Sequence, residues 1–325
     1  MNILCSTDDN FAQHCAVLLI SILKNNPDNV SIYLFTEGLS DYNEKALKEI
    51  VKENGGDINI VLVDPELLTD CPMPSDPHLS HISKATYYRL WVSKLLPNSI
   101  DKIIYLDCDI VVRHSLLELW ETPLDNFALG AVYQIGNSSI NDIKRLGYPV
   151  KYGYFNAGVL LLNLKYWRDN QIPEKLFEFL SKNKEVIHFH DQDVLNGVLF
   201  DKCIELPCKW NMLNIFFLKR TLLINDVDAE IIVNDYSKYK EQMLIYINDP
   251  IVIHFASKPK PWNLGSTHPY RSEYNYYLQF TPWYEYVLPK IWSFMLEDYR
   301  SIYPLLRSKI HLIISNPYLK IKHKF

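Results

Sequence analysis

The sequence predicts an α/β protein with a mostly parallel sheet and helices on both of its faces. Strand-like and helix-like segments alternate over the first 110 residues, an order that builds parallel sheets. The 325 residues are 48% apolar and 22% charged, which is the composition of a folded protein with a large core. Beyond residue 110 strands and helices mix, and from about Thr267 the chain becomes aromatic and then basic.

The individual elements follow from the apolar pattern and from end signals. Short runs rich in β-branched residues predict strands at 2–6, 30–36, 58–63 and 102–106. Helical patterns lie between them at 12–24, 40–54 and 83–96. Ser40 is expected to cap the second helix, which stops at Gly55. Later strands are predicted at 127–133, 158–164 and 251–255, and later helices at 173–182 and 191–200.

Composition argues against several classes of function. A formal net charge of −5 gives no reason to expect a nucleic-acid partner, and neither a GxGxxG nor a Walker motif is present. The six cysteines show no CxxC spacing, and Cys203 and Cys208 lack the second pair that a zinc site needs. We expect no signal peptide, since a strand pattern follows Met1 directly, and no apolar run is long enough to span a bilayer. These features predict a cytoplasmic protein with reduced thiols.

Two carboxylates, Asp107 and Asp109, follow the apolar strand at 102–106. Residues two apart in extended chain project to the same side, so both carboxylates can bind one hard cation such as Mg²⁺ or Mn²⁺. Asp-x-Asp also occurs at 191/193 and 226/228, and a solvated turn is the alternative interpretation. Only the first match follows an apolar strand at the carboxyl edge of the predicted sheet, where ligands bind.

His254 lies in the apolar strand at 251–255 and is either a core residue or a metal ligand. The following loop, 257–262, carries Lys258, Lys260 and Trp262. Cations beside a metal ligand are what a diphosphate site needs, because phosphate oxygens concentrate negative charge. Together these features favour a nucleotide site over a core histidine.

Two further polar segments allow two interpretations each. Residues 7–10 end the first strand, where an Asp or Asn side chain either caps the next helix or contacts a nucleotide. The segment 188–193 is either a capped helix start or a metal phosphohydrolase centre formed by His188, His190 and Asp191.

Taken in their order along the chain, these motifs resemble those of glycosyltransferase family 8, particularly the bacterial lipopolysaccharide α-galactosyltransferases and α-glucosyltransferases. The matching segments cover roughly residues 1–265 and lie at 6–11, 85–90, 104–112, 154–164, 191–197 and 254–262. The resemblance implies a GT-A-type nucleotide-sugar-binding fold in a catalytic domain of residues 1–265, followed by a C-terminal region, 266–325. The expected fold has a mixed, mostly parallel sheet, and the C-terminal region is expected to be a helical, basic and aromatic appendage. The resemblance also implies a UDP-hexose donor, a Mn²⁺ cofactor with Mg²⁺ as the alternative, and retention of the anomeric configuration.

The resemblance assigns roles to individual residues. The implied metal ligands are Asp107, Asp109 and His254. The implied contacts to the nucleotide and its diphosphate are Asp8, Asp9, Asn10, Asp107, Cys108, Ser257 and Lys260. The implied contacts to the donor sugar are Arg89, Asn156, Ala157, Gly158, Asp191 and Gln192, of which the last two are the candidate catalytic residues.

The chemistry leaves two mechanisms open. An amide such as Gln192 is a poor nucleophile, so we favour front-side attack by the acceptor over a double displacement. Two residues depart from the family pattern: Gln134 replaces an Asp near the acceptor, and Ser257 replaces a Gly of the diphosphate loop. The first departure leaves the acceptor and the donor hexose, galactose or glucose, undetermined.

The C-terminal segment resembles the basic, aromatic tails by which such enzymes associate with membranes. From Arg300 to Phe325 it carries six Lys or Arg residues and no carboxylate side chain. We therefore expect peripheral attachment to anionic lipid on the inner face of the membrane. A helix packed on the core with a solvated end is the alternative.

The expected acceptor is an oligosaccharide, in particular the core of lipopolysaccharide or lipooligosaccharide. The same chemistry on a capsular or protein-linked glycan is the alternative within this class. The metal phosphohydrolase described above and a non-catalytic UDP-sugar-binding protein are the alternatives from other classes.

Overall fold

The strands form two sheets. The structure is a computed structural model that describes residues 1–26, 28–69, 71–72, 84–135, 137–217, 233–263 and 265–284. The strands in this part of the chain are β1 Asn2–Ser6, β2 Ser31–Thr36, β3 Asp57–Leu62, β4 Lys102–Leu106, β5 Ile110–Val112, β6 Leu129–Tyr133, β7 Phe155–Asn163, β8 Cys203–Glu205, β9 Met212–Leu213 and β10 Val252–His254. The larger sheet has the order β3-β2-β1-β4-β7-β6-β8, and the smaller has the order β5-β10-β9.

The main sheet is mixed and mostly parallel, as predicted. Strands β3, β2, β1 and β4 pair in parallel, and so do β6 and β8. Strand β7 runs antiparallel to both of its neighbours, β4 and β6. Its first eight residues are buried, which explains the continuous apolar run in its sequence.

The described residues also form α-helices between and after these strands. They are α1 Ala12–Asn25, α2 Asp41–Glu53, α3 Val92–Leu95, α4 Leu117–Glu121, α5 Asn137–Leu146, α6 Leu164–Asp169, α7 Ile172–Lys182, α8 His190–Leu199, α9 Val233–Tyr246 and α10 Arg271–Leu278. The predicted cap of α2 is confirmed, because the Ser40 hydroxyl accepts a hydrogen bond from the backbone N–H of Asn43. Gly55 follows the end of α2 with a φ of 78°, in the left-handed region that glycine adopts without strain.

The helix predicted at 83–96 is present, but most of it is a 3₁₀ helix rather than an α-helix. A 3₁₀ helix spans Lys84–Trp91, and only Val92–Leu95 is α-helical, while residue 83 lies outside the described residues. Three residues per turn place Thr86 directly below Arg89. Both side chains contact Asp191, so tertiary contacts account for the tighter helix.

The C-terminal part of the described chain packs against α1. The residues Met1–Thr281 form one compact unit, which includes α10. The Tyr277 hydroxyl accepts a hydrogen bond from Asn25 on α1 at 2.8 Å. The division at 265/266 stays a prediction, and the basic tail lies outside the described residues. No helix in the described part of the chain combines the length and hydropathy that crossing a bilayer requires.

Candidate active site

A cavity of ≈ 590 Å³ lies at the carboxyl ends of β1 and β4. Most of the residues predicted to bind a sugar nucleotide or its metal line this cavity. They are Asp8, Arg89, Asp107, Cys108, Asp109, Asn156, Ala157, Gly158, Asp191, Gln192, His254, Ser257 and Lys260. Asp9 and Asn10 are predicted contacts that do not line it. The volume lies within the range of about 300–1,000 Å³ that is typical of small-molecule sites.

Three potential metal ligands converge in this cavity. One ligand atom from each of Asp107, Asp109 and His254 lies within 4.8 Å of the other two. His254 Nε2 is 3.2 Å from an Asp109 oxygen and 3.9 Å from an Asp107 oxygen. The smaller sheet explains this approach, because β10 pairs with β5 and places His254 opposite Ile110, next to Asp109. Two carboxylates and one imidazole suit a divalent cation such as Mn²⁺.

Gly158 makes room for this cluster. A Cβ atom at this position would lie 2.2 Å from His254 Cε1 and 2.9 Å from an Asp107 oxygen. Both distances are shorter than non-bonded atoms tolerate, so a larger residue would displace the imidazole or the carboxylate. The backbone of β7 therefore has to approach the cluster without a side chain.

Lys260 supplies a cation next to the cluster. Its Nζ lies 2.6 Å from an Asp109 oxygen and donates to the Phe255 carbonyl at 2.7 Å. Burial opposes the charge of Asp109, but the ammonium of Lys260 and, when it is protonated, the ring of His254 hold the pKa of Asp109 well below its usual range. Asp109 is therefore ionised at neutral pH.

Arg89 is buried beside the cluster and links two carboxylates. Its guanidinium lies 2.6 Å from an Asp107 oxygen and 3.1 Å from an Asp191 oxygen. It also donates to the Ala157 carbonyl at 2.5 Å and lies over the ring of Tyr105 at 3.9 Å. These contacts hold the two carboxylates on adjacent walls of the cavity.

Asp191 is almost completely buried, with an exposed fraction of 4%. Burial raises its pKa to about 6, although Arg89 and the hydroxyl of Thr86 act in the opposite direction. A carboxyl group that titrates this close to neutrality inside a cavity is typical of a functional site.

The segment at 7–10 divides between two roles. Asp8 lines the cavity, and its side chain caps the 3₁₀ turn Asp9–Phe11 by accepting from the Phe11 N–H. The Asp9 carboxylate accepts from the Ser40 N–H at 2.7 Å and from the Asn43 amide at 2.8 Å, at the start of α2. These hydrogen bonds lower the pKa of Asp9 and tie its side chain to a helix N-terminus.

Three polar residues of the site are absent from the sequence prediction. The Tyr105 hydroxyl donates to an Asp107 oxygen at 2.8 Å, Thr86 donates to Asp191, and Asn211 lies 2.8 Å from His254 Nδ1. Strand alternation could have indicated Tyr105, which is two residues before Asp107 on the same face of β4. Asn211 had no local signal, because it is 43 residues from His254.

In the described part of the chain, His188, His190 and Asp191 do not form the metal cluster that the phosphohydrolase alternative requires. Within the described residues, Asp107, Asp109 and His254 are the one group of three His, Cys, Asp or Glu residues that could hold an ion. His190 instead lies 3.4 Å from the Tyr87 hydroxyl, and burial lowers its pKa.

The chain is similar to known glycosyltransferases over most of its length. Residues 2–264 match the family described as glycosyl transferase family 8. General stress protein A of Bacillus subtilis is 30% identical over 292 residues, which cover 87% of this chain and 94% of that protein. The lipopolysaccharide 1,2-glucosyltransferase of Escherichia coli is 25% identical over 321 residues, which cover 98% of this chain and 87% of that enzyme.

The crystal structures of the galactosyltransferase LgtC are similar to this fold. That of an active-site mutant has a TM-score of 0.76 at 27% identity and covers 87% of this chain and 96% of LgtC. A complex of LgtC with donor and acceptor sugar analogues gives a TM-score of 0.72. The resemblance and the fold class predicted from the sequence are thereby confirmed. The chain belongs to glycosyltransferase family 8 and is a hexosyltransferase with the GT-A fold.

Proposed function

We propose that this enzyme transfers galactose or glucose from a UDP-sugar to a saccharide acceptor, with retention of configuration and with Mn²⁺ as cofactor. The observation that carries the proposal is the convergence of Asp107, Asp109 and His254 in a cavity of suitable size at the carboxyl edge of the sheet. Donor sites in open α/β folds lie at this edge because the loops that follow the strands meet there.

The donor set of the cluster fits a divalent cation. Mn²⁺ accepts both carboxylate and imidazole ligands, whereas Mg²⁺ prefers oxygen ligands alone. When bound, the cation supplies the positive charge that stabilises a departing diphosphate. Lys260 keeps Asp109 ionised for this role. A bound cation would take over the charge of Asp109, and the ammonium of Lys260 could then contact the phosphate oxygens.

The remaining cavity residues divide between the two ends of the donor. We assign Asp8, Cys108, Ser257 and Lys260 to the nucleotide and its diphosphate, because they lie on the loops that follow β1, β4 and β10. Asp9 and Asn10 do not line the cavity. We keep them as proposed nucleotide contacts only because they follow Asp8, which does line it.

The sugar end of the donor is assigned to the walls beside Arg89. Asp191 is a hydrogen-bond acceptor for sugar hydroxyls once it is ionised, and Arg89 holds it in place at 3.1 Å. Asn156, Ala157 and Gly158 complete this wall on β7.

Gln192 is poorly suited to act as a nucleophile. Its side-chain oxygen already accepts hydrogen bonds from the Asn156 amide at 3.0 Å and from the Ala157 N–H at 3.1 Å. We therefore favour front-side attack, in which the acceptor oxygen bonds to the anomeric carbon as the bond to the diphosphate breaks. The acceptor proton passes to the departing phosphate oxygen, so no enzyme-bound intermediate is needed.

We propose the core oligosaccharide of lipopolysaccharide or lipooligosaccharide as the acceptor, by analogy with the Escherichia coli relative. Gln134 lines the cavity and is a neutral contact for that acceptor. Such an acceptor is membrane-anchored, so the enzyme would work at the cytoplasmic face of the inner membrane. A capsular or protein-linked glycan is the second candidate within the same chemistry.

The direct test is release of UDP from a panel of UDP-sugars with Mn²⁺, repeated with EDTA and with each acceptor class. We expect one UDP-hexose to dominate and chelation to abolish release. Hydrolysis of phosphodiesters without any UDP-sugar would instead favour a phosphohydrolase. Tight UDP binding without turnover on any glycan would instead indicate a non-catalytic UDP-sugar-binding protein.

The cluster itself is tested by Asp109→Asn. Loss of one ionised ligand should lower turnover by about 100-fold or more, because the metal contributes several kcal/mol to stabilising the leaving group. Asp101→Asn is the matched control, since its carboxylate is exposed just before β4, at the opposite end from Asp107. Normal activity of Asp109→Asn would remove this residue from the site.

A further inference from the structure

A chain of side-chain hydrogen bonds runs through the protein behind the metal-ligand cluster. It begins at His254, passes through the three amides of Asn211, Asn156 and Gln192, and ends on the carboxylate of Asp193 by way of a tyrosine. We call these three amides the amide relay. Asn211 and Asp193 are fully buried, with exposed fractions of 0%, so each must find its partners inside the protein.

Two backbone N–H groups fix the orientation of two of these amides. Oxygen and nitrogen of an amide are distinguished by their partners, and a backbone N–H can only donate. The Gly158 N–H lies 2.9 Å from Asn156 Oδ1, which therefore accepts, and the Nδ2 of Asn156 faces Gln192 Oε1. The Ala157 N–H lies 3.1 Å from Gln192 Oε1 and fixes that amide in the same way.

The orientation of Asn211 follows from that of Asn156. Asn156 Oδ1 is an acceptor, so the atom of Asn211 that lies 2.8 Å from it must be the donor Nδ2. The carbonyl oxygen of Asn211 consequently faces His254 Nδ1, also at 2.8 Å. Because this oxygen can only accept, Nδ1 must carry the ring proton.

We infer that Asn211 is a positioning residue, which fixes the Nδ1–H form of His254 and turns the Nε2 lone pair toward Asp107 and Asp109. This inference rests on the proposed function only for the identity of the ion. A neutral imidazole carries one N–H, and a metal ligand needs its other nitrogen free. Nε2 is that free nitrogen, at 3.2 Å from an Asp109 oxygen.

At the end far from His254, the partners of the amide relay fix the donor-to-acceptor direction of its hydrogen bonds. Tyr154 donates to Asp193 at 2.7 Å, because a carboxylate only accepts, and its oxygen accepts from Gln192 at 3.0 Å. Asp193 also accepts from Arg145 at 2.8 Å and from the backbone N–H groups of His188 and Phe189 at 2.7 and 2.8 Å. Reversing one amide would place two acceptors or two donors face to face, which is costly where water is excluded.

Loss of Asn211 should release this constraint. Without an acceptor at Nδ1, the ring of His254 can carry its proton on Nε2 instead, where an Asp109 oxygen lies within hydrogen-bond distance. That form presents an N–H to the ion and cannot bind it. Metal binding would then require the proton to move first.

The test compares Asn211→Ala with two other variants. Asn211→Asp keeps an acceptor for His254 Nδ1 but loses the donor to Asn156. Asn26→Ala is the matched control for lost stability, because Asn26 is also buried and bonds the backbone of Ile22 and Leu116, away from the cluster. The measurements are the ring ¹⁵N shifts of His254 in metal-free protein, taken at a pH where the ring is neutral, and the Kd for Mn²⁺.

We expect Nδ1–H with a free Nε2 in the wild type, in Asn211→Asp and in Asn26→Ala, and a population of Nε2–H in Asn211→Ala. The Kd for Mn²⁺ should rise about 10- to 100-fold in Asn211→Ala, rise less in Asn211→Asp, which keeps the acceptor for Nδ1, and change little in Asn26→Ala. A wild-type ring protonated on Nε2 would overturn the inference, and so would Asn211→Ala with unchanged ring shifts. Failure of the wild type to bind Mn²⁺ would instead count against the proposed function, because the ring shifts are read without metal.

Discussion

At the scale of single residues, the cluster of Asp107, Asp109 and His254 depends on the missing Cβ atom of Gly158. A Cβ atom on Gly158 would overlap two of the three proposed metal ligands, and the backbone N–H of Gly158 also fixes the Asn156 amide. The position therefore contributes both space and a hydrogen-bond donor. Only the space requires glycine, since every residue except proline has a backbone N–H.

Gly158→Ala separates these two contributions. The added Cβ atom should push His254 or Asp107 away, weaken Mn²⁺ binding more than about 10-fold and cost about 1–3 kcal/mol of stability through overpacking. Calorimetric titration with Mn²⁺ and thermal unfolding measure the two effects. Gly265→Ala is the control, because a Cβ atom there would meet nothing within 4 Å. Wild-type Mn²⁺ affinity in Gly158→Ala would contradict this prediction, because it would show that the added Cβ atom does not displace His254 or Asp107.

The raised pKa of Asp191 predicts a pH dependence of stability. Its pKa is about 6 in the folded protein against a reference of 3.8, so between these values the folded state binds more protons than the unfolded state. Asp191 therefore stabilises the fold fully below about pH 4, and this contribution is lost as the pH rises through 6. The free energy of unfolding of the wild type should fall relative to that of Asp191→Asn by up to about 3 kcal/mol across this window.

Denaturant titrations of metal-free protein at several pH values measure this difference. Thr86→Val should raise the pKa of Asp191 further, since the Thr86 hydroxyl favours the ionised form. An Asp191 carboxyl that titrates near 4 in ¹³C spectra would contradict both expectations.

The sequence could predict the proposed metal ligands, which the structure brings close together, but not the groups that contact them. Asp107 and Asp109 follow an apolar strand at a spacing that strand geometry makes meaningful. Asn211 and Tyr154 act through partners 43 and 39 residues away, and no local pattern carries such a pairing. Their roles follow only from three-dimensional contacts.

At the scale of elements, the loop at 257–262 is held by aromatic packing. Trp262 stacks on His14 of α1 with ring centroids 3.6 Å apart and an interplanar angle of 18°. The edge of Phe11 and the ring of Tyr274 contact Trp262 from other sides. Burial lowers the pKa of His14 to about 4, so its ring is neutral in this stack. The packing ties the loop that carries Lys260 to two helices.

Trp262→Leu should loosen this loop and weaken UDP binding. One aromatic stack is worth about 0.5–1.5 kcal/mol, so the Kd for UDP should rise up to about 10-fold while the fold persists. Fluorescence-detected UDP titration with Mn²⁺ measures the change. Trp120→Leu is the matched control, because Trp120 lies on α4, outside the loop at 257–262, and its ring has a cation–π contact with Lys102. Equal effects of both variants would show that the stack does not position Lys260.

The 3₁₀ helix at Lys84–Trp91 marks the limit of pattern-based prediction at this scale. An apolar period of three to four residues predicts a helix but does not distinguish its two types over eight residues. The contacts of Thr86 and Arg89 with Asp191 bridge more than 100 residues and accompany the tighter turn. By contrast, α2 carries its own cap and stop signals, and its bounds were predicted within one or two residues.

At the scale of the whole molecule, the direction of β7 could not be read from the sequence. Its apolar run predicts a buried strand, but such a run is the same in either direction. The antiparallel β7 delivers Asn156 and Gly158 from its N-terminal end to the edge where the parallel β4 delivers Asp107. The mixed sheet is thus what lets two strands supply the same cavity.

The basic C-terminal segment predicts how the whole enzyme would reach the proposed membrane-anchored acceptor. Six Lys or Arg residues and no carboxylate side chain lie within Arg300–Phe325, whereas the complete chain has a net charge of −5. Deletion of residues 300–325 should abolish binding to vesicles that contain anionic lipid and preserve activity on a soluble acceptor. Retained vesicle binding after the deletion would refute the membrane anchor.

A charge-matched pair of variants distinguishes this attraction from a general effect of net charge. Each basic residue near an anionic surface contributes about 1 kcal/mol, so replacing three lysines with glutamine should weaken vesicle binding by about 100-fold. The test variant changes Lys320, Lys322 and Lys324. The control changes three exposed lysines of α2, Lys45, Lys48 and Lys52, and alters the net charge equally. Only the first variant should lose binding in vesicle sedimentation, and added salt should abolish the difference because it screens the attraction.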